Sequence, residues 1–109
     1  MTNAHFPRLF EPVRINGKLA RNRVMRLATT TNTAESGLVH ARTVAHYRNI
    51  ARGGTGMIVT EAMRVHASNA GRDGAMQCYR KDFVPGLQSL AQAVHAERAL
   101  LIAQLNHGG

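Results

Sequence analysis

Three short apolar runs, separated by two stretches of helical periodicity, set the tightest limit on what this 109-residue chain can fold into. The runs are Arg23–Leu27, Met57–Thr60 and Leu100–Ala103. Between the first two, Val44, Tyr47 and Ile50–Ala51 recur at helical spacing within Ala41 to Arg52, and Gly53-Gly54 supplies a stop. Before the third, Asp82 is a candidate N-cap and Pro85 sits near a first turn. Val84, Leu87, Leu90, Ala91 and Val94 then line one apolar face of a helix ending near Glu97. Upstream, Asn16-Gly17 joins Val13–Ile15 to Lys18–Ala20. Both turn positions tolerate positive φ, which predicts a hairpin. The polar stretch from Arg64 to Lys81, with Asn69, Gly71 and Gly74, reads as a loop of a length usually kept for function.

The order is therefore hairpin, β, α, β, α, β. Strands that alternate with helices imply parallel pairing through right-handed crossovers. Nearly continuous apolar strands imply a sheet covered on both faces. A chain stopping just after its third strand leaves such a sheet with an unpaired edge. The expected fold class is α/β, the N-terminal part of a (β/α)8 TIM barrel: a hairpin plus the first three parallel strands and two helices. Residues 1–109 then form a fragment of a single domain. A complete five-element α/β domain of this size is possible but marginal.

Composition narrows the function classes. A hydrophobic fraction of 44% is ordinary for a globular protein and argues against a disordered tail. The formal charge of +8 raises nucleic acid or an anionic surface as a partner. The cations argue against it, because apart from Arg8, Arg14, Lys18, Arg21, Arg23 and Arg26 they are spread singly and no aromatic comb accompanies them. Neither nucleic acid nor a membrane is expected as a partner. The lone Cys78 excludes an internal disulfide and a paired-cysteine metal site. The opening MTNAHFPRLF has no apolar signal core, and no stretch approaches the 18 apolar residues of a spanning helix, so a cytoplasmic location is expected.

In parallel α/β folds the functional groups gather where strands end and loops begin. The first strand delivers Ala28, Thr29 and Thr30; the second Thr60, Glu61 and Ala62; the third Gln104, Asn106 and His107. Hydroxyls, an amide and small side chains suit a flat hydrogen-bonding heterocycle. They do not suit a metal, for no His, Cys or carboxylate cluster has ligand spacing. Each residue also has a plainer reading. Thr29, Thr30 and Thr31 can cap a loop, and Gln104 can be a satisfied strand-end amide. His107 can be a structural hydrogen bonder, Glu61 a buried partner to a basic side chain, and Tyr47 core. Gly53-Gly54-Thr55-Gly56 precedes a strand rather than opening a helix, so it lacks the context of a phosphate loop.

Four motifs in order carry a resemblance that spans about Pro7 to Gly109. They are Leu9-Phe10-Glu11-Pro12 with Asn16-Gly17; Asn22-Arg23-Val24 leading to Ala28-Thr29-Thr30; His46-Tyr47 followed by Ala51 through Ala62; and Gln104-Leu105-Asn106-His107-Gly108. Together they resemble the Old Yellow Enzyme family, the NADH:flavin oxidoreductases, including their dienoyl-CoA reductase-like branch. The chain departs from the common pattern at Ala28, where many members have Pro, and at Arg26, a charge within the first strand. It departs again at Glu97-Arg98, which replaces a Gly-containing turn.

The resemblance implies an FMN cofactor over the C-terminal mouth of the barrel, NAD(P)H as reductant, and hydride transfer from flavin N5 to an activated C=C bond. It implies an unsaturated carbonyl or thioester as the small-molecule substrate. Carried over by position, Ala28, Thr29 and Thr30 would lie beside the isoalloxazine ring. Thr30 is the favoured hydrogen-bonding partner of its O4/N5 edge, with Thr29 possible if the register slips by one. Ala62 would pack near the ring, and Gln104 would pair with N3–H and O2. No catalytic residue is expected within the chain. By this reading the fragment alone neither binds FMN tightly nor turns over. Two other classes stay open: a barrel enzyme without flavin, and a small basic nucleic-acid- or anion-binding module. Flavin absorbance and salt-dependent nucleic-acid affinity, respectively, would tell them apart.

Overall fold

The computed structural model describes residues 5–69 and 73–109. Expectations that touch residues 1–4 and Gly71 lie outside the described residues. The chain runs β1 (Val13–Ile15), β2 (Lys18–Ala20), β3 (Met25–Arg26), α1 (Ala41–Arg52), β4 (Met57–Arg64), a 3-10 turn (Lys81–Phe83), α2 (Val84–Ala96) and β5 (Leu100–Asn106). β1 and β2 pair antiparallel around Asn16 (φ 47°) and Gly17 (φ 78°), the two positive values such a tight hairpin turn requires. β3, β4 and β5 form a separate parallel sheet in the order β3-β4-β5, as the strand–helix alternation predicts.

Close backbone approach fixes where β4 begins. The buried Asn22 donates from Nδ2 to the Gly54 carbonyl at 2.8 Å, and its Oδ1 accepts from the Val24 N–H at 3.1 Å. A Cβ on Gly56 would stand 2.5 Å from both Asn22 O and Asn22 Oδ1, so only glycine fits there. Arg21 donates from Nη2 to the Ala51 and Thr55 carbonyls, at 2.6 and 3.0 Å, and so satisfies the end of α1. Gly54, at φ 111°, turns the chain out of the helix.

α2 ends in a Schellman turn. The Arg98 N–H donates to the His95 carbonyl at 2.9 Å, and the Ala99 N–H donates to the Val94 carbonyl at 3.3 Å. This turn needs a left-handed residue, and Arg98 supplies it at φ 64°.

Both helices cover one face of the sheet. Tyr47 and Ala51 of α1, Leu90 and Val94 of α2, and Ile58 and Met63 of β4 form one core with Ala34, Met76 and Ala99. Side chains alternate along a strand, so Met25, Leu27, Val59, Leu100 and Ile102 fall on the opposite face. Among the described residues no helix covers that side. Leu27 is 67% exposed there. The radius of gyration, 14.8 Å, exceeds the roughly 13 Å of a compact 100-residue domain, as a slab with one open face should.

Several local expectations need correction. Asp82 is not an N-cap; it lies inside the 3-10 turn, and its carboxylate is taken by Arg80 at 2.9 and 3.0 Å. Val84 is 53% exposed rather than apolar-face, and Ala93 is buried instead. β3 is shorter than Arg23–Leu27, because only Met25 and Arg26 find ladder partners. β4 and β5 run past Thr60 and Ala103 to Arg64 and Asn106, because their polar ends pair with each other. Part of the presumed loop after β4 is anchored too. Arg64 bridges Gln77, and Met76 is fully buried.

Candidate functional site

The C-terminal ends of β3, β4 and β5 meet at one end of the sheet, and a β-bulge in β4 shapes that end. Val59 is opposite Ile102 and Ala62 is opposite Gln104, so Thr60 and Glu61 together face the single residue Ala103. The Thr60 hydroxyl fills the broken rung by accepting the Gln104 N–H at 3.0 Å. Beyond the bulge Met63 returns to the helix side, which puts Ala62 and Gln104 next to each other on the open face. Adjacent parallel strands lie about 4.8 Å apart.

A buried polar cluster lies beneath the loop that follows β3. Glu61 is only 2% exposed. It accepts from the Thr31 N–H at 2.9 Å, the Thr31 hydroxyl at 2.6 Å and the Asn32 N–H at 3.4 Å. The Tyr47 hydroxyl donates to Glu61 Oε1 at 3.3 Å and accepts the Glu61 N–H at 2.8 Å. Thr33 extends the cluster, 2.7 Å from the Thr31 hydroxyl and donating to Thr43 at 2.9 Å. The expected basic partner for Glu61 is thus replaced by neutral donors. Tyr47 is core, as expected, but its hydroxyl is also the hub joining α1 to the bulge. Burial, first of all, pushes its phenol up to about 12; hydrogen bonding to the Glu61 backbone pulls it partly back.

These bonds pin the β3–α1 loop beside Ala62. Ala28 is half-buried at the start of the loop, and Thr29 and Thr30 are exposed. The Thr29 hydroxyl turns back toward the Leu27 carbonyl at 3.4 Å. Among the described residues, the Thr30 hydroxyl and the Gln104 side-chain amide have no hydrogen-bond partner. The structure thus brings Ala62 and Gln104 together as strand neighbours, and the clamp at Thr31 holds Ala28–Thr30 on the other side of β4.

A second polar group ties the loop after β4 to the end of β5. Ser68 Oγ lies 2.8 Å from His66 Nδ1 and 2.9 Å from His107 Nε2. The Asn69 side chain donates to the Asn106 carbonyl and accepts the Gly108 N–H at 3.1 Å. His107 thus makes a hydrogen bond of the kind its plainer reading expects. His66 and Ser68 were missed, since two exposed polar residues on a loop carry no signal by themselves. Among the described residues no three His, Cys, Asp or Glu side chains are placed to share a metal ion, and no helix is long and apolar enough to cross a membrane. A cavity of about 650 Å³ lies at the other end of the strands, lined in part by Arg21, Thr55 and Arg98. At the C-terminal ends, Thr29, Thr30 and Gln104 are exposed.

Known proteins share this arrangement. The model of the NADH:flavin oxidoreductase / NADH oxidase family matches residues 8–109. The 4,4'-dithiodibutanoate disulfide reductase of Rhodococcus erythropolis is 36% identical, over 100% of this chain and 27% of its own length. A 2-naphthoyl-CoA reductase in complex with 2-naphthoyl-CoA superposes with a TM-score of 0.90 at 33% identity, over 95% of this chain and 16% of that one. The old yellow enzyme homologue from Zymomonas mobilis superposes with a TM-score of 0.81 at 30% identity, over 94% of this chain and 29% of that one. The chain thus spans less than a third of each of these proteins, and its sheet and helices are the first part of a (β/α)8 barrel. In sequence and in strand arrangement alike, the chain belongs to the NADH:flavin oxidoreductase / NADH oxidase family.

Proposed function

We propose that the protein carrying this chain is an FMN-dependent NAD(P)H oxidoreductase of the ene-reductase type, and that this chain supplies part of one wall of its flavin site. The observation that carries the reading is a pair of unspent polar groups around a small residue. The Thr30 hydroxyl and the Gln104 amide have no partner among the described residues, and Ala62, on the strand between them, presents only a methyl group.

These residues fit an isoalloxazine ring. An amide both donates and accepts, so Gln104 would hold N3–H and O2 together. Thr30 would donate to the O4/N5 edge, where a hydrogen bond tunes the flavin's potential. Ala62 leaves room for the ring face, and Ala28 and Thr29 would complete the near side. FMN held here would supply hydride transfer between NAD(P)H and the substrate. This chain's contribution is to hold and orient the ring. The groups that anchor substrate and deliver the proton would come from other parts of the barrel.

An activated C=C in a carbonyl or thioester compound is the substrate class we favour. The 2-naphthoyl-CoA of the structural neighbour is an aromatic thioester, which supports that class. The disulfide reductase relative makes S–S reduction the alternative to exclude. The test is to purify the complete protein, measure bound FMN, and follow NAD(P)H oxidation with an enoyl thioester and with a disulfide. Stoichiometric FMN with turnover of the enoyl compound is expected. Protein without flavin would refute the reading; turnover of the disulfide alone would refute the substrate class.

A further inference from the structure

We infer that Glu61 is a positioning residue that sets which threonine of the β3–α1 loop faces the flavin; this rests on the flavin reading above. In an unbroken strand Glu61 would share the open face with Val59, two residues earlier. The bulge adds one residue and turns Glu61 to the helix side, where it is 2% exposed against α1. One distortion therefore performs two tasks. It brings Ala62 level with Gln104, and it aims a carboxylate at the underside of the neighbouring loop.

Backbone bonds hold the later part of that loop, from Ala34 to Leu38, and side-chain bonds hold Thr31 and Asn32 before it. Thr31 gives its N–H and its hydroxyl to different oxygens of Glu61, at 2.9 and 2.6 Å. Asn32 then takes a left-handed φ of 59°, which asparagine tolerates better than most residues. The Tyr47 hydroxyl and the Thr33–Thr43 bond brace the clamp from α1. Thr31 is thereby spent, and Thr30, the preceding residue, is left exposed with its hydroxyl free among the described residues. The clamp assigns the roles: Thr31 to the protein and Thr30 to the cofactor.

The test uses the flavin-loaded holoenzyme. Glu61→Gln replaces one of the two acceptor oxygens with an NH2, so the Thr31 and Tyr47 hydroxyls must turn from donating to accepting and the clamp is rearranged. Thr31→Val removes one bond of the clamp and keeps the fold if Glu61→Gln does not. Both variants are expected to move the flavin midpoint potential and visible spectrum in the direction that Thr30→Ala moves them. Flavin reduction by NAD(P)H should slow by roughly ten- to a hundredfold, the range a displacement of about 1 Å produces. Combining either variant with Thr30→Ala should add nothing further to the shift, because both act through one hydroxyl. Full additivity would overturn the inference, as would an unmoved potential in a folded Glu61→Gln or Thr31→Val variant. A wild-type protein without flavin would overturn the flavin reading itself, whereas a loaded enzyme whose potential ignores only the clamp variants overturns this inference alone.

Discussion

Replacing Tyr47 with Phe isolates the hub of the buried cluster. The ring stays, so packing against Ala51, Ile58 and Leu90 is kept. What goes is one hydroxyl with two bonds, accepting the Glu61 N–H at 2.8 Å and donating to Glu61 Oε1 at 3.3 Å. The first loss dominates. The Glu61 N–H sits in the bulge of a residue 2% exposed, and an orphaned buried donor costs about 1–3 kcal/mol. The longer second bond adds the low end of about 0.5–1.5 kcal/mol. Together these give about 2–3 kcal/mol, or a fall in Tm of roughly 5–10 °C for a barrel-sized protein.

Denaturant titration across pH is the assay, because Tyr47 also fixes the sign of an alkaline effect. Its phenol is pushed up to about 12 in the folded protein, against an ordinary value of 10.0 in the unfolded chain. Folding thus favours the neutral phenol. Its contribution is complete below pH 10 and is lost as the pH climbs toward about 12. The gap between wild type and Tyr47→Phe should therefore narrow over that window. A gap below about 0.5 kcal/mol at neutral pH, within the range of an inconsequential substitution, would refute the reasoning, and so would a gap that widens with pH.

Three other substitutions probe separate parts of the fold. Gly56→Ala drives a Cβ to 2.5 Å from Asn22 O, and should cost about 1–3 kcal/mol of overpacking or prevent folding, as thermal unfolding will record. Arg98→Gly relieves a left-handed φ of 64° in the Schellman turn, and should raise stability by up to about 1 kcal/mol; a lower Tm would contradict the strain assigned there. Thr60→Val keeps the shape of the bulge but leaves the Gln104 N–H without its acceptor, for a loss of about 1–3 kcal/mol in denaturant unfolding.

What could be read in the sequence was local. Asn16-Gly17 encodes its own turn, and Gly53-Gly54 its own stop, so the hairpin and α1 fall where periodicity puts them. The strand order followed from the alternation of elements. What sequence could not show depends on partners far along the chain. Glu61, Arg64, Gln104 and Asn106 are polar and look like loop, yet they lie in strands because β4 and β5 pair with each other to their ends. The bulge is invisible in either strand alone, since it exists only in their relative register. Because the bulge sets the direction of Glu61, the expectation of a basic partner failed at that residue. Asp82 failed as a cap for a nearby reason: Arg80, two residues earlier, takes its carboxylate. The candidate site residues Ala28, Thr29, Thr30, Ala62 and Gln104 came from motif resemblance; spacing alone would have named strand ends without choosing among the threonines.

The central claim is that the free ends of β3, β4 and β5 hold a flavin, and Gln104 tests it most directly. FMN affinity should be measured by fluorescence titration of the complete apoprotein, wild type beside Gln104→Ala. The account predicts stoichiometric FMN binding by wild type and an affinity at least about tenfold weaker in the variant, the value of two lost hydrogen bonds. Equal FMN affinity in the two proteins would contradict it.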